Sequence, residues 1–82
     1  MVKTLYVGNI SWGTTEDELR RTFSQHGEVL GCRIIKEKAT GRSRGYGFVE
    51  VSDGDYEQMI ENLNGSELDG RRLVVNEAKP RE

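Results

Sequence analysis

The stretch Arg44-Gly45-Tyr46-Gly47-Phe48-Val49-Glu50-Val51 decides the fold. Its aromatic and β-branched residues favour an extended strand, in which successive side chains point to opposite faces. Val49 and Val51 therefore share one face, while Arg44, Tyr46, Phe48 and Glu50 share the other. A helical layer can bury the valine face. The two rings are then left on the side that no helix covers.

The same logic extends in both directions along the chain. Leu5-Tyr6-Val7-Gly8-Asn9 reads as a short first strand with Leu5 and Val7 inward and Tyr6 outward. Thr15-Glu16-Asp17-Glu18 has the pattern of a capping box, and Leu19 and Phe23 follow at i, i+4 spacing as one buried helical stripe. Gly27 is placed to stop that helix as a left-handed cap. A second strand is expected roughly from Val29 to Lys36, joined through a loop at Thr40-Gly41-Arg42-Ser43 to the strand quoted first, as an antiparallel hairpin. Ser52 or Asp53 can cap a second helix with apolar positions at Tyr56, Met59, Ile60 and Leu63, ended by Asn64-Gly65. Asp69-Gly70 is a turn before the last strand, Arg72-Leu73-Val74-Val75-Asn76.

The element order is βαββαβ. It implies an α+β, ferredoxin-like fold: a four-stranded antiparallel sheet with two helices on one face. In that order the first and third strands are the central pair, which sets Tyr6, Tyr46 and Phe48 side by side on the open face. Gly45 and Gly47 are expected to keep the surface low around the rings, so that a flat partner can approach.

Composition narrows the chemistry. The chain has 82 residues with 34% hydrophobic content, enough for one small core and no buried catalytic cleft. One cysteine and one histidine, Cys32 and His26, exclude an internal disulfide and a Cys/His zinc cluster. Cys32 alternates inward with Ile34 and reads as a small buried thiol. His26, at the end of the first helix, suits the helix dipole. Neither a metal nor another cofactor is expected. No run approaches the ~18 apolar residues of a membrane span, and the N-terminus lacks a signal-peptide core.

The formal charge is −2, yet it is unevenly spread. Between Arg33 and Tyr46 five basic residues face one acid, whereas Ser52 to Asp69 holds six acids and no base. One basic and one acidic face are expected, and only the first need meet a polyanion.

At this point Leu5-Tyr6-Val7-Gly8-Asn9-Ile10 resembles the hexapeptide motif of the RNA-recognition motif (RRM) family, and the stretch 44–51 resembles its octapeptide motif. The resemblance covers essentially the whole chain, as a domain over 1–79 with a short polar tail, 80–82. It implies binding of single-stranded RNA by a monomer, with Tyr6 and Tyr46 stacking on bases, Phe48 packing on ribose or a second base, and Arg44 pairing with phosphate. By position we add Arg33 and Asn76 on neighbouring strands, then Lys79, and with less support Arg42 and Lys3. Overall similarity is to small stand-alone bacterial members, which implies a cytoplasmic protein in post-transcriptional RNA handling. Stacking accepts any base, so neither sequence preference nor RNA against single-stranded DNA is readable. Stacking of two or three bases gives an affinity of order micromolar.

Two departures fall on the inward side. Val51 stands where the family usually has an aromatic residue, and Tyr56 where many members have alanine; the Tyr56 ring is expected to occupy space vacated near position 51.

The same residues admit other readings. The aromatic trio could be covered by a protein partner, and Arg42 or Arg44 could simply keep the hairpin soluble. Trp12 either stacks on an outlying nucleotide or covers the core edge, the second being favoured. An acylphosphatase-type enzyme would need an organised anion loop, which Gly8-Asn9-Ile10-Ser11 does not offer. Gly45-Tyr46-Gly47 lies inside a strand and is no dinucleotide fingerprint. No enzymatic activity is expected.

Overall fold

The computed structural model describes residues 2–78. Where apolar residues alternate the chain is extended, giving β1 (Val2–Gly8), β2 (Val29–Lys36) and β3 (Ser43–Ser52). Where they recur at helical spacing it coils, giving α1 (Glu16–Ser24) and α2 (Tyr56–Leu63). After α2 come β4 (Glu67–Leu68), β5 (Arg71–Arg72) and β6 (Val74–Glu77). The main sheet has the order β2-β3-β1-β6, all pairs antiparallel. Leu5, Val7, Val49, Val51 and Val75 from the sheet are buried with Leu19 and Phe23 of α1 and Met59 and Leu63 of α2. Both helices thus lie on one face, as the alternation requires.

The capping box at the start of α1 forms in full: Thr15 Oγ1 accepts from the Glu18 amide at 3.1 Å, and a Glu18 carboxylate oxygen accepts from the Thr15 amide at 3.3 Å. Glu16, in the first turn, accepts from the Ile34 amide at 2.9 Å. Because β2 is an edge strand, that carboxylate satisfies a donor the sheet leaves unpaired.

Three expectations need correction. Gly27 is no left-handed cap: α1 ends at Ser24 with Gln25 in right-handed geometry. Its missing side chain serves packing instead, since a Cβ there would lie 2.7 Å from Met59 Sδ and 2.8 Å from Asp55 Cβ. The N-cap of α2 is Asp55, neither Ser52 nor Asp53, and its carboxylate accepts from the Glu28 amide at 3.1 Å rather than capping the helix. The last sheet strand is only Val74–Glu77, because Arg72 belongs to the small β4–β5 hairpin turned by Asp69 and Gly70, both at positive φ. Tyr56 sits half-buried at the core margin, with Lys3, the strand partner of Val51, 5.4 Å above its ring. The ring therefore packs against the core at its margin, beside the Lys3–Val51 pair.

The β4–β5 hairpin is tied back to the loop between β1 and α1. Thr14, 5% exposed, donates through Oγ1 to Asp69 Oδ2 at 2.6 Å. Asn9 donates to the Arg72 carbonyl at 2.7 Å and accepts from Arg71 Nη2, also at 2.7 Å. These bonds hold Asn9 in its left-handed conformation, φ 59°.

Candidate nucleic-acid interface

Register fixes which side chains share the open face. Tyr6 lies opposite Phe48 on one side and Asn76 on the other; Phe48 lies opposite Arg33 on β2. The row therefore runs Arg33, Phe48, Tyr6, Asn76 across all four strands. Arg33 and Asn76 are exposed, while the two rings are half-buried by one another. The next row holds Tyr46, Gly8 and Val74.

The three rings form one cluster. Tyr6 and Tyr46 stack at 6.1 Å with 28° between planes, and Phe48 stands edge-on to both, at 6.1 Å from Tyr6 and 6.3 Å from Tyr46. These are favourable offset and edge-to-face geometries, so the rings hold each other in place before anything binds. The rings stay half-open to solvent beside two exposed nitrogen-bearing side chains, Arg33 and Asn76.

Gly8 sets the tilt of the first ring. A Cβ at this position would stand 2.8 Å from Tyr6 Oη and 3.0 Å from Tyr6 Cε2, so the phenol lies over the bare backbone of Gly8. This corrects the expectation for Gly45 and Gly47. Gly47 pairs with Val7 and Ile34, and a side chain on it would collide with the Arg33 carbonyl oxygen. Its absence lets β2 approach. Gly45 has φ 85°, and its carbonyl accepts from the Ile10 amide at 2.8 Å. The kink interrupts alternation, so Arg44 is exposed but its face is no longer set by parity with Tyr46.

Of the remaining expected residues, Arg42 is exposed in the β2–β3 hairpin beside Lys36. Lys3 does not join the site: it shares parity with Leu5 and Val7, and its ammonium sits over Tyr56 on the helix side. Lys79 lies outside the described residues. Val74, 42% exposed, is a platform residue that the sequence reading passed over, although it is two positions from Asn76 on the same strand face.

Among the described residues two titratable groups are shifted, both away from the platform. Burial, reinforced by the Glu16 charge, pushes the Cys32 thiol up to about 11, leaving it protonated and inert at neutral pH. A hydrogen bond to Glu77 pushes the Tyr56 phenol up to about 12. Among the described residues there is no cluster of metal-ligating side chains and no helix long and apolar enough to cross a membrane.

A one-sided sheet with paired aromatic rings and flanking cations is a binding platform rather than a catalytic cleft. Comparison with known proteins agrees. The family model of the RNA recognition motif matches residues 5–74. A glycine-rich RNA-binding protein 10 of Brassica napus is 51% identical over 93% of this chain, which spans 46% of that relative. The crystal structure of RNA binding protein PG1 superposes with a TM-score of 0.89 at 41% identity, covering 98% of both chains. A solved Sxl-lethal protein/RNA complex superposes with a TM-score of 0.91 at 34% identity over 100% of this chain and 50% of the other. The chain belongs to the RNA recognition motif family, a class of binding domains and not of enzymes.

Proposed function

We propose that the chain binds a short stretch of single-stranded RNA across its open sheet face. Tyr6 and Tyr46 stack on successive bases, Phe48 packs on ribose or a further base, and Asn76 offers donor and acceptor groups to a base edge. Arg33 and Arg44 contact phosphate, with Arg42 and Lys79 as outer cations. The observation that carries this reading is the mutual packing of the three rings on the uncovered face, at 6.1–6.3 Å between centroids. The RNA named in the Sxl-lethal complex, on a chain of the same fold, supports it.

Within this reading the protein acts as a monomer, in the cytoplasm, in post-transcriptional handling of RNA. The domain at 1–79 carries the binding and 80–82 is a polar tail. Titrating fluorescently labelled single-stranded RNA against the wild type and a Tyr6→Ala/Tyr46→Ala/Phe48→Ala variant tests the platform. Micromolar binding that the variant loses is expected; a variant that stays folded and keeps the wild-type affinity refutes it. Parallel titration with DNA of the same sequence separates the two nucleic acids, and sedimentation and cell fractionation test the monomer and its compartment.

A further inference from the structure

Beyond the ring row the open face carries an acid, Glu50. Register sets it opposite Thr4 on one side and Gly31 on the other, and the Ala78 amide donates to the Thr4 carbonyl at 2.9 Å. The next row across the sheet therefore runs Gly31, Glu50, Thr4, Ala78. Three of these side chains are small, and Glu50 stands exposed among them. A carboxylate here works against the use of the face, because RNA brings a phosphate with every nucleotide. It aids binding only where a base offers it N–H donors, since an ionised carboxylate can do nothing but accept.

The carboxylate is also placed. Glu50 shares strand and face with Phe48, two residues away and so about 7 Å along β3, within reach of a base stacked on that ring. A Cβ on Gly31 would stand 2.7 Å from Glu50 Oε1, so the carboxylate lies over the bare backbone of Gly31, much as the Tyr6 ring lies over Gly8. Glu50, Gly31, Thr4, Arg33 and Phe48 are among the walls of a hollow of about 920 Å³. A ring of the platform thus borders the same hollow as the acid, and Arg33 stands there to meet the phosphate that Glu50 repels.

The four bases differ in what their Watson–Crick edges offer an anion. Guanine presents two adjacent donors, N1–H and the N2 amino group, which match the two oxygens of a carboxylate as an arginine fork does. Adenine and cytosine present one amino group beside a ring nitrogen that is itself an acceptor. Uracil presents one N–H between two carbonyl oxygens. Each of these three brings a lone pair toward the carboxylate.

We propose that Glu50 is a specificity-determining residue that selects guanine. The base stacks on Phe48 and turns its Watson–Crick edge toward Glu50, whose carboxylate accepts from N1–H and from the N2 amino group. The inference rests on the sheet face being the binding platform and adds the base that one of its positions takes.

The test uses single-stranded tetranucleotide RNA that is uridine throughout except at one position, which carries guanine, inosine, adenine or cytosine in turn. Inosine keeps N1–H and lacks the N2 amino group. Affinities are read by competition against a labelled RNA, and circular dichroism checks that each variant is folded. At one position the wild type is expected to bind guanine about 5- to 50-fold more tightly than adenine or uracil, with inosine in between. Glu50→Gln keeps the shape but turns an amide N–H toward the donors of guanine, so it should abolish the preference while the all-uridine RNA binds as tightly as before or more so. Gly31→Ala should displace the carboxylate and reduce the preference, changing the all-uridine affinity by less than about twofold. A wild type that binds guanine no better than inosine at every position overturns the assignment. So does a guanine preference that survives in Glu50→Gln, or an equal tightening of every RNA in that variant, which makes Glu50 a repulsive charge only; in each case the platform still stands. Failure of all the tetranucleotides to bind the wild type overturns the platform and the assignment with it.

Discussion

Replacing Gly8 by alanine is expected to weaken RNA binding while leaving the domain folded. The new methyl would meet Tyr6 Oη at 2.8 Å, whereas ordinary contact begins near 3.4 Å, so the end of the ring must lift by about 0.6 Å. The obstructing atoms belong to the far end of a side chain, and rotation about its side-chain torsions relieves the contact at a cost of order 1 kcal/mol. Glycine-to-alanine replacement at a compatible strand position stabilises by about 0.4–1 kcal/mol through the unfolded chain, so net stability should hardly change. The binding cost is larger. Tyr6 stacks on Tyr46 at 28°, and lifting it disturbs a surface whose value is about 1–3 kcal/mol per stacked base, roughly 5- to 150-fold in affinity. A double-mutant cycle isolates the cause: Gly8→Ala should weaken binding in the wild type and have no further effect beside Tyr6→Ala. Urea unfolding supplies the stability control. Unchanged affinity of Gly8→Ala, or losses that simply add, would refute a role exerted through the Tyr6 ring.

Gly47→Ala should show the opposite balance, because its methyl meets the backbone carbonyl of Arg33; a loss of about 1–3 kcal/mol is expected in urea denaturation. Arg44→Ala should weaken all RNA sequences alike and reduce the slope of log K against log salt by about 0.7, measured across a salt series. Thr14→Val should cost about 0.5–1.5 kcal/mol, read from the thermal midpoint, by removing the 2.6 Å hydrogen bond to the exposed Asp69 carboxylate. Stability should decline in alkali. Cys32 and Tyr56 both hold their protons more tightly when folded than their ordinary values of 9.0 and 10.0, so their contributions are complete below about pH 9 and disappear as pH rises to about 11 and about 12. Cys32→Ala should remove the first part of that decline in urea titrations at successive pH.

Alternation made most of this structure readable in advance. Leu5, Val7, Val49 and Val51 must share the helix side, and that alone puts Tyr6, Tyr46 and Phe48 together outside. The same parity assigns Lys3 inward with Leu5 and Val74 outward with Asn76, two inferences the sequence supported but that charge and strand-boundary reasoning obscured. Other features carry no periodic signal. The β4–β5 hairpin has strands of two residues, too short for any period to show. The cap of α2 is expected at Ser52 or Asp53, whereas Asp55 holds that position and uses its carboxylate on Glu28. The duties of Gly8, Gly27 and Gly47 depend on atoms brought close from elsewhere in the chain, which no local pattern encodes. Trp12 lies in a loop, where position along the chain does not determine solvent exposure.

The placement of β1 between β3 and β6 bears on how the domain is made. Within this sheet β1 precedes its partners along the chain and needs, on one flank, the four residues of β6. Until Val74–Glu77 has left the ribosome, the row of β1 amides and carbonyls that it covers stays bare and can template pairing with another nascent chain. Stalled translation upstream of Val74 should therefore release polypeptide with this flank of β1 uncovered, and the four residues of β6 decide whether it can template pairing.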